Sequence, residues 1–230
     1  MTLQLFGITI HEADVAVTDL LLALLGAHFA RNLWLRRHGS PLRAEGALIN
    51  AGLAAAALAG AAFHAFFPAK TSTSAGFVAW IPVAIGIAVA AAAMLSTSLR
   101  LLARALPASA RRGVVAAYAV LFVLVVLVVN ESYGSIVRMY GPALLLLIVT
   151  CTREWMRQRD RAWGVIVVGL LLSVVAALLQ QAGVALHPRY ADHNALYHLI
   201  QAAALTLIYR GMQRTAATSA LGGAFSSGRG

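Results

Sequence analysis

Two histidines, His64 and His198, lie within apolar stretches of the chain, and two carboxylates, Glu12 and Asp19, open another such stretch. An ionisable group at the centre of a membrane helix costs about 2.5 to 3.5 kcal/mol on insertion, so such groups face a bundle interior and serve a purpose there. Neutral imidazoles on separate helices, with carboxylates to complete the shell or orient a water, are the donor set for zinc or a similar divalent ion. The same two histidines would equally hold neighbouring spans together by hydrogen bonds.

Spacing refines the set, because residues three, four or seven apart share one helix face. Asn194, His198 and Gln201 form a stripe, and Glu12 and Asp19 form another. His64, His198 and His193 are therefore the candidate metal ligands, and Glu12 or Asp19 the candidate general base. Asn194, Gln201 and Glu131 are expected to line the pocket around them. His193 points away from the stripe and is expected near the membrane surface, beside Asp192 and Arg189, unless it swings inward. Asn50 lies roughly 21 Å deeper than His64 by helix rise and stands apart.

These residues must be positioned by membrane helices. Seven stretches, 12 to 33, 44 to 67, 75 to 98, 113 to 131, 136 to 153, 162 to 186 and 192 to 210, come close to or exceed the roughly 20 apolar residues that cross a hydrocarbon core. With 60% hydrophobic and 11% charged residues, the chain has too little polar surface for a water-soluble globule of 230 residues. The fold class expected is all-α, a polytopic seven-helix transmembrane bundle over residues 1–212, with a flexible cytoplasmic tail over 213–230.

The net charge of +10 reads as topology. All but three of the 18 basic residues fall in the first, third and fifth loops and the tail; Lys70, Arg138 and Arg189 are the three. Positive loops stay cytoplasmic, which puts the N-terminus outside and the C-terminus inside. The partner is then the lipid bilayer and its anionic headgroups, and nucleic acid is not expected. In this orientation Glu12, Asp19, His64, Glu131 and the start of the seventh span share one depth on the outer side.

Other classes are narrowed by single residues. The first ten residues contain no Lys or Arg, so they lack the basic region of a cleaved signal peptide. Cys151 is the lone cysteine and forms no disulfide within the chain. A retinal protein needs a Schiff-base lysine within a helix, and Lys70, in a loop, is the single lysine. Haem is disfavoured because both histidines lie near one membrane face.

The segment Asp192-His193-Asn194-Ala195-Leu196-Tyr197-His198-Leu199 resembles the last-helix signature of the CREST-like superfamily of seven-helix membrane hydrolases, which includes alkaline ceramidases and the adiponectin-receptor and hemolysin III-like proteins. Gly60-Ala61-Ala62-Phe63-His64 is similar to its second-helix element. The resemblance implies a zinc-dependent hydrolase acting on a lipid amide, with His198 and His64 as ligands. Three departures accompany it. Asn194 stands in place of the first last-helix histidine, Gly60 in place of a serine, and residues 71 to 99 contain no acidic residue to match the third-helix aspartate. The alternative is a membrane sensor, scaffold or small-solute permease with a vestigial site; the absence of an internal repeat weighs against the permease. Arginine in excess of lysine and abundant alanine point to a bacterial inner membrane.

Overall fold

The computed structural model describes residues 1–187 and 190–226, with side chains up to Thr215. It holds seven helices: α1 (Ala13–Leu35), α2 (Pro41–Phe66), α3 (Ser74–Leu102), α4 (Ala108–Leu124), α5 (Tyr133–Gln158), α6 (Arg161–Gln181) and α7 (His193–Ser226). The all-α expectation holds. The part of the expected tail beyond 226 and the loop residues Pro188 and Arg189 lie outside the described residues.

Six helices, α1 to α6, are long and apolar enough to cross a membrane. Their outward faces agree, since Leu24, Leu58, Val78, Leu145, Val168 and Leu178 are all exposed, a surface that water would not tolerate at this extent. α7 is more polar because His193, Asn194, His198 and Gln201 fall within two turns of its start. It nevertheless runs antiparallel to α6 along the length of that helix. Asn194 accepts a hydrogen bond from Gln180 at one end, and Gly211 packs against Ala162 and Ile166 at the other.

The helices begin where local chemistry allows. Ser40, Thr73, Ser132 and Asp160 accept backbone N–H groups at the starts of α2, α3, α5 and α6, and Asp192 accepts from both Asn194 and Ala195 at 2.9 Å to open α7. α6 ends at Gln181, five residues before the expected 186, because Gly183 adopts φ +70 and turns the chain. α4 passes into a π-helical turn over Val125–Val129.

Packing is cyclic. α1 lies on α2, α2 on α3, α3 on α5, α5 on α6, α6 on α7, and α7 returns to α1. α4 stays outside this ring against α3, burying only Phe122 of its own length, with Val126 buried in the π turn that follows. α2 and α3 approach closely at two glycines: a Cβ on Gly52 would lie 2.5 Å from the Gly86 carbonyl oxygen, and one on Gly86 2.6 Å from that of Gly52. Such backbone contact is the usual solution for membrane helices, where small residues replace the hydrophobic drive.

At the arginine-rich end, two buried carboxylates tie helices together. Glu45 of α2 accepts from Arg100 at 2.5 Å, Ser96 at 2.5 Å and Thr97 at 3.2 Å, all on α3. Glu154 of α5 accepts from Arg157 and Gln158 at 2.6 Å and from Arg104 at 3.5 Å. At the opposite end a two-stranded antiparallel hairpin, β1 (Leu3–Leu5) and β2 (Ile8–Ile10), precedes α1. No strand was expected there; the alternation Leu-Gln-Leu and Ile-Thr-Ile about a two-residue turn is the sequence signal for it.

Candidate functional site

The ring of helices encloses a cavity of about 770 Å³, within the range of small-molecule sites. Asp19, His64, Glu131, His193, Asn194, His198 and Gln201 all line it. These are the residues singled out by sequence, apart from Glu12, which sits behind His64 and does not reach the cavity wall. His193 thus faces the cavity, where the spacing argument had pointed it elsewhere. Asn50 is fully buried in α2 away from the cavity and donates to the Gly46 carbonyl at 2.8 Å.

His198 and His64 each lie beside their own carboxylate. His198 places Nε2 at 3.2 Å from Asp19 Oδ1, and Nδ1 at 3.1 Å from Thr18 Oγ1. Both side chains of the pair are a tenth exposed or less. Thr18 already directs its hydroxyl to the α1 carbonyls of Asp14 and Val15 at 3.0 and 2.9 Å. A hydroxyl has one proton, so Thr18 accepts from Nδ1–H. Nδ1 is then engaged within the protein, and Nε2 faces the Asp19 carboxyl.

His64 is arranged differently. Its Nδ1 bonds Glu12 Oε2, and Lys70 Nζ approaches Glu12 Oε1 at 3.0 Å. The His64 hydrogen bond, reinforced by Lys70 and opposed by partial burial, holds the Glu12 carboxyl down to about 2. Glu12 occupies the capping position of α1 with φ 41 and ψ 45, a left-handed conformation unusual for glutamate, and its side chain makes no capping bond. That strained geometry directs the carboxylate to His64. His64 Nε2 has no hydrogen-bond partner among the described residues.

A third group of polar side chains continues the wall. Tyr133 donates to Gln180 Oε1 at 2.9 Å, and Gln180 donates to Asn194 Oδ1 at 2.8 Å. Gln201 is 5% exposed, lines the cavity and has no side-chain partner among the described residues. Thr18, Lys70 and the cavity-lining Tyr197 were not singled out as members of this constellation by sequence. Thr18 and Lys70 carry no periodic signal, and Tyr133 reads from the sequence either as lining a cavity mouth or as part of an interfacial aromatic belt. The rest of the wall is aliphatic, with Leu22, Leu53, Val83, Ile87, Leu144 and Leu205 among its members.

A tetrahedral metal centre needs several of these side chains to converge on one point. Among the described residues no three His, Cys, Asp or Glu side chains do so. His198 is held between Thr18 and Asp19, and His64 is held by Glu12. The donor set expected for zinc at His64, His198 and His193 therefore does not fit as arranged here.

A single family model covers residues 15–217, which is all seven helices up to the end of the described side chains. The chain belongs to DUF6962, a family of unknown function. No curated protein matches it. The match takes in Thr18, Asp19, His64 and the whole stripe from His193 to Gln201, while the hairpin and Glu12 lie ahead of it. Within this DUF6962 chain the chemistry open to the cavity is hydrogen bonding by Gln201, Asn194 and His193, and proton acceptance by His64.

Proposed function

We propose that this DUF6962 protein binds a lipid-like amphiphile inside the bilayer, as a sensor or scaffold, with the polar head against Asp19, His198, Asn194 and Gln201 and the chain against the aliphatic wall. The observation that carries this reading is Gln201, on the wall of a largely apolar cavity, whose side-chain amide opens onto the cavity and has no hydrogen-bond partner among the described residues. An amide offers one acceptor and two donor hydrogens, and a ligand headgroup supplies the partners they lack. Leu145 and Leu178 line the cavity and are 57% and 63% exposed on α5 and α6, so the source of the ligand in this reading is the surrounding lipid. α7 is the seventh span, the N-terminus is outside and the C-terminus inside, following the arginine distribution. The membrane is a bacterial inner membrane.

The test is lipid analysis of protein extracted directly into polymer-bounded discs. One amphiphile enriched over the bulk lipid, and lost in Gly141→Trp, is the expected result. Gly141 lines the cavity and a Cβ there meets nothing within 4 Å, so the indole fills ligand space without a backbone clash. Equal lipid profiles in parent and variant would refute the binding role.

A second reading, hydrolysis, is favoured by the Glu12–His64 pair alone. A carboxylate on Nδ1 with Nε2 open to a cavity is the geometry of a general base. In it His64 takes a proton from water, the oxygen attacks an amide carbonyl, and the proton passes to the leaving amine. Hydrolysis of a fluorescent lipid amide that resists chelators and is abolished by His64→Gln would establish it; chelator-sensitive turnover would return the zinc reading.

A further inference from the structure

The hairpin ahead of α1 has two unlike faces. Leu3 pairs with Ile10 and Leu5 with Ile8 across the strands, and cross-strand partners share a face, so these four side chains form one apolar surface. Gln4 pairs with Thr9 on the other face, where their side chains hydrogen-bond at 2.7 Å. Phe6 and Gly7 make the two-residue turn with φ of 51 and 81, the mirror-image geometry favoured in hairpins. Asparagine or glycine suits the first of these positions, and a bulky residue there is a genuine outlier. The phenylalanine it holds is 96% exposed, and Leu5 and Ile8 are more than half exposed beside it.

Its depth is fixed by the helices. His11 donates its backbone N–H to the Ala65 carbonyl at 2.9 Å near the end of α2, and Ala13 donates to the Met1 carbonyl at 2.7 Å as α1 begins. The hairpin therefore sits at the level where two membrane-crossing helices leave the apolar layer. Glu12, His64 and Lys70 mark that same level. Residues 1–10 carry no charged side chain, so nothing in the hairpin opposes contact with lipid.

We infer that the hairpin is an interfacial anchor that lies in the headgroup layer of one leaflet, with Leu3, Leu5, Ile8 and Phe6 against acyl chains and Gln4 and Thr9 facing water. The occupant of the apolar face is lipid, because that face is exposed, carries no charged side chain and is held at the ends of two membrane-length helices. Through the Glu12 cap, the anchor also fixes the wall that carries His64.

Spin labels test this in the full-length protein, reconstituted in liposomes of phosphatidylethanolamine and phosphatidylglycerol, with Cys151→Ala as background. Labels at Phe6→Cys and Leu3→Cys should collide several-fold more often with oxygen than with a water-soluble nickel chelate. A label at Gln4→Cys should show the reverse. Adding Phe6→Asp to the Leu3 label should remove its oxygen preference. Nickel access at both Leu3 and Phe6 would overturn the inference, as would short label-to-label distances between copies, which would mean that hairpins pair with each other. Leu3 on the apolar face and Phe6 at the turn are labelled in separate variants, so loss of one variant to misfolding leaves the other as the test.

Discussion

Gly60 and Asp19 share one space: a Cβ on Gly60 would lie 2.8 Å from Asp19 Oδ2. The missing side chain on α2 is what lets α1 deliver its carboxylate to His198 on α7. This is the position at which the resemblance to membrane hydrolases places a serine, and the glycine has a steric reason of its own.

Gly60→Ala should therefore destabilise the fold by about 1 to 3 kcal/mol through overpacking, against the roughly 0.5 to 1 kcal/mol that alanine ordinarily adds to a helix over glycine. Thermal unfolding in detergent measures it. Gly113→Ala, on exposed α4 with nothing within 4 Å of its Cβ, should be neutral or stabilising. Equal melting shifts for the two would disprove the shared space.

Thr18 sets the tautomer of His198. Nitrogen NMR of histidine-labelled protein should place a proton on Nδ1. Thr18→Ser should keep that signature and Thr18→Val should lose it, because valine retains the shape and removes the acceptor. An unaltered spectrum in Thr18→Val would show that another group holds the ring.

Glu12 gives a pH dependence with a defined sign. Its folded value of about 2 lies below the ordinary 4.5, so the unfolded chain takes up protons first as the solution is acidified. The stability it contributes is complete above about 4.5 and is lost as pH falls toward 2. The melting difference between parent and Glu12→Gln should stay constant down to the upper bound and vanish across that window. A difference that persists at pH 2 would contradict the pairing with His64.

Arg100 answers the buried charge of Glu45, whose side chain is 6% exposed. Arg100→Leu should cost about 1.5 to 3 kcal/mol, the worth of hydrogen bonds to a charged group. Adding Glu45→Leu should recover part of that loss, since it removes the stranded carboxylate. A double variant no more stable than Arg100→Leu alone would exclude an electrostatic origin.

Hydropathy and the arginine pattern alone determined that the chain is a bundle of membrane-length helices with polar residues pooled toward one end. Both are local properties: apolar length matches a membrane thickness, and a charge is felt in the loop that carries it. The sequence also nominated Asp19, His64, His198, Asn194 and Gln201, because polar residues at helical spacing within apolar runs stand out whatever they touch. Their pairing was decided by tertiary structure. His64 meets Glu12 across 52 residues and His198 meets Thr18 across 180, and which carboxylate reaches which ring depends on helix rotation set by close contacts such as Gly52 with Gly86 and Gly60 with Asp19. Periodicity fixes the face a residue occupies on its own helix, but the direction of that face within the ring is a property of packing, and packing divided the histidines between two carboxylates.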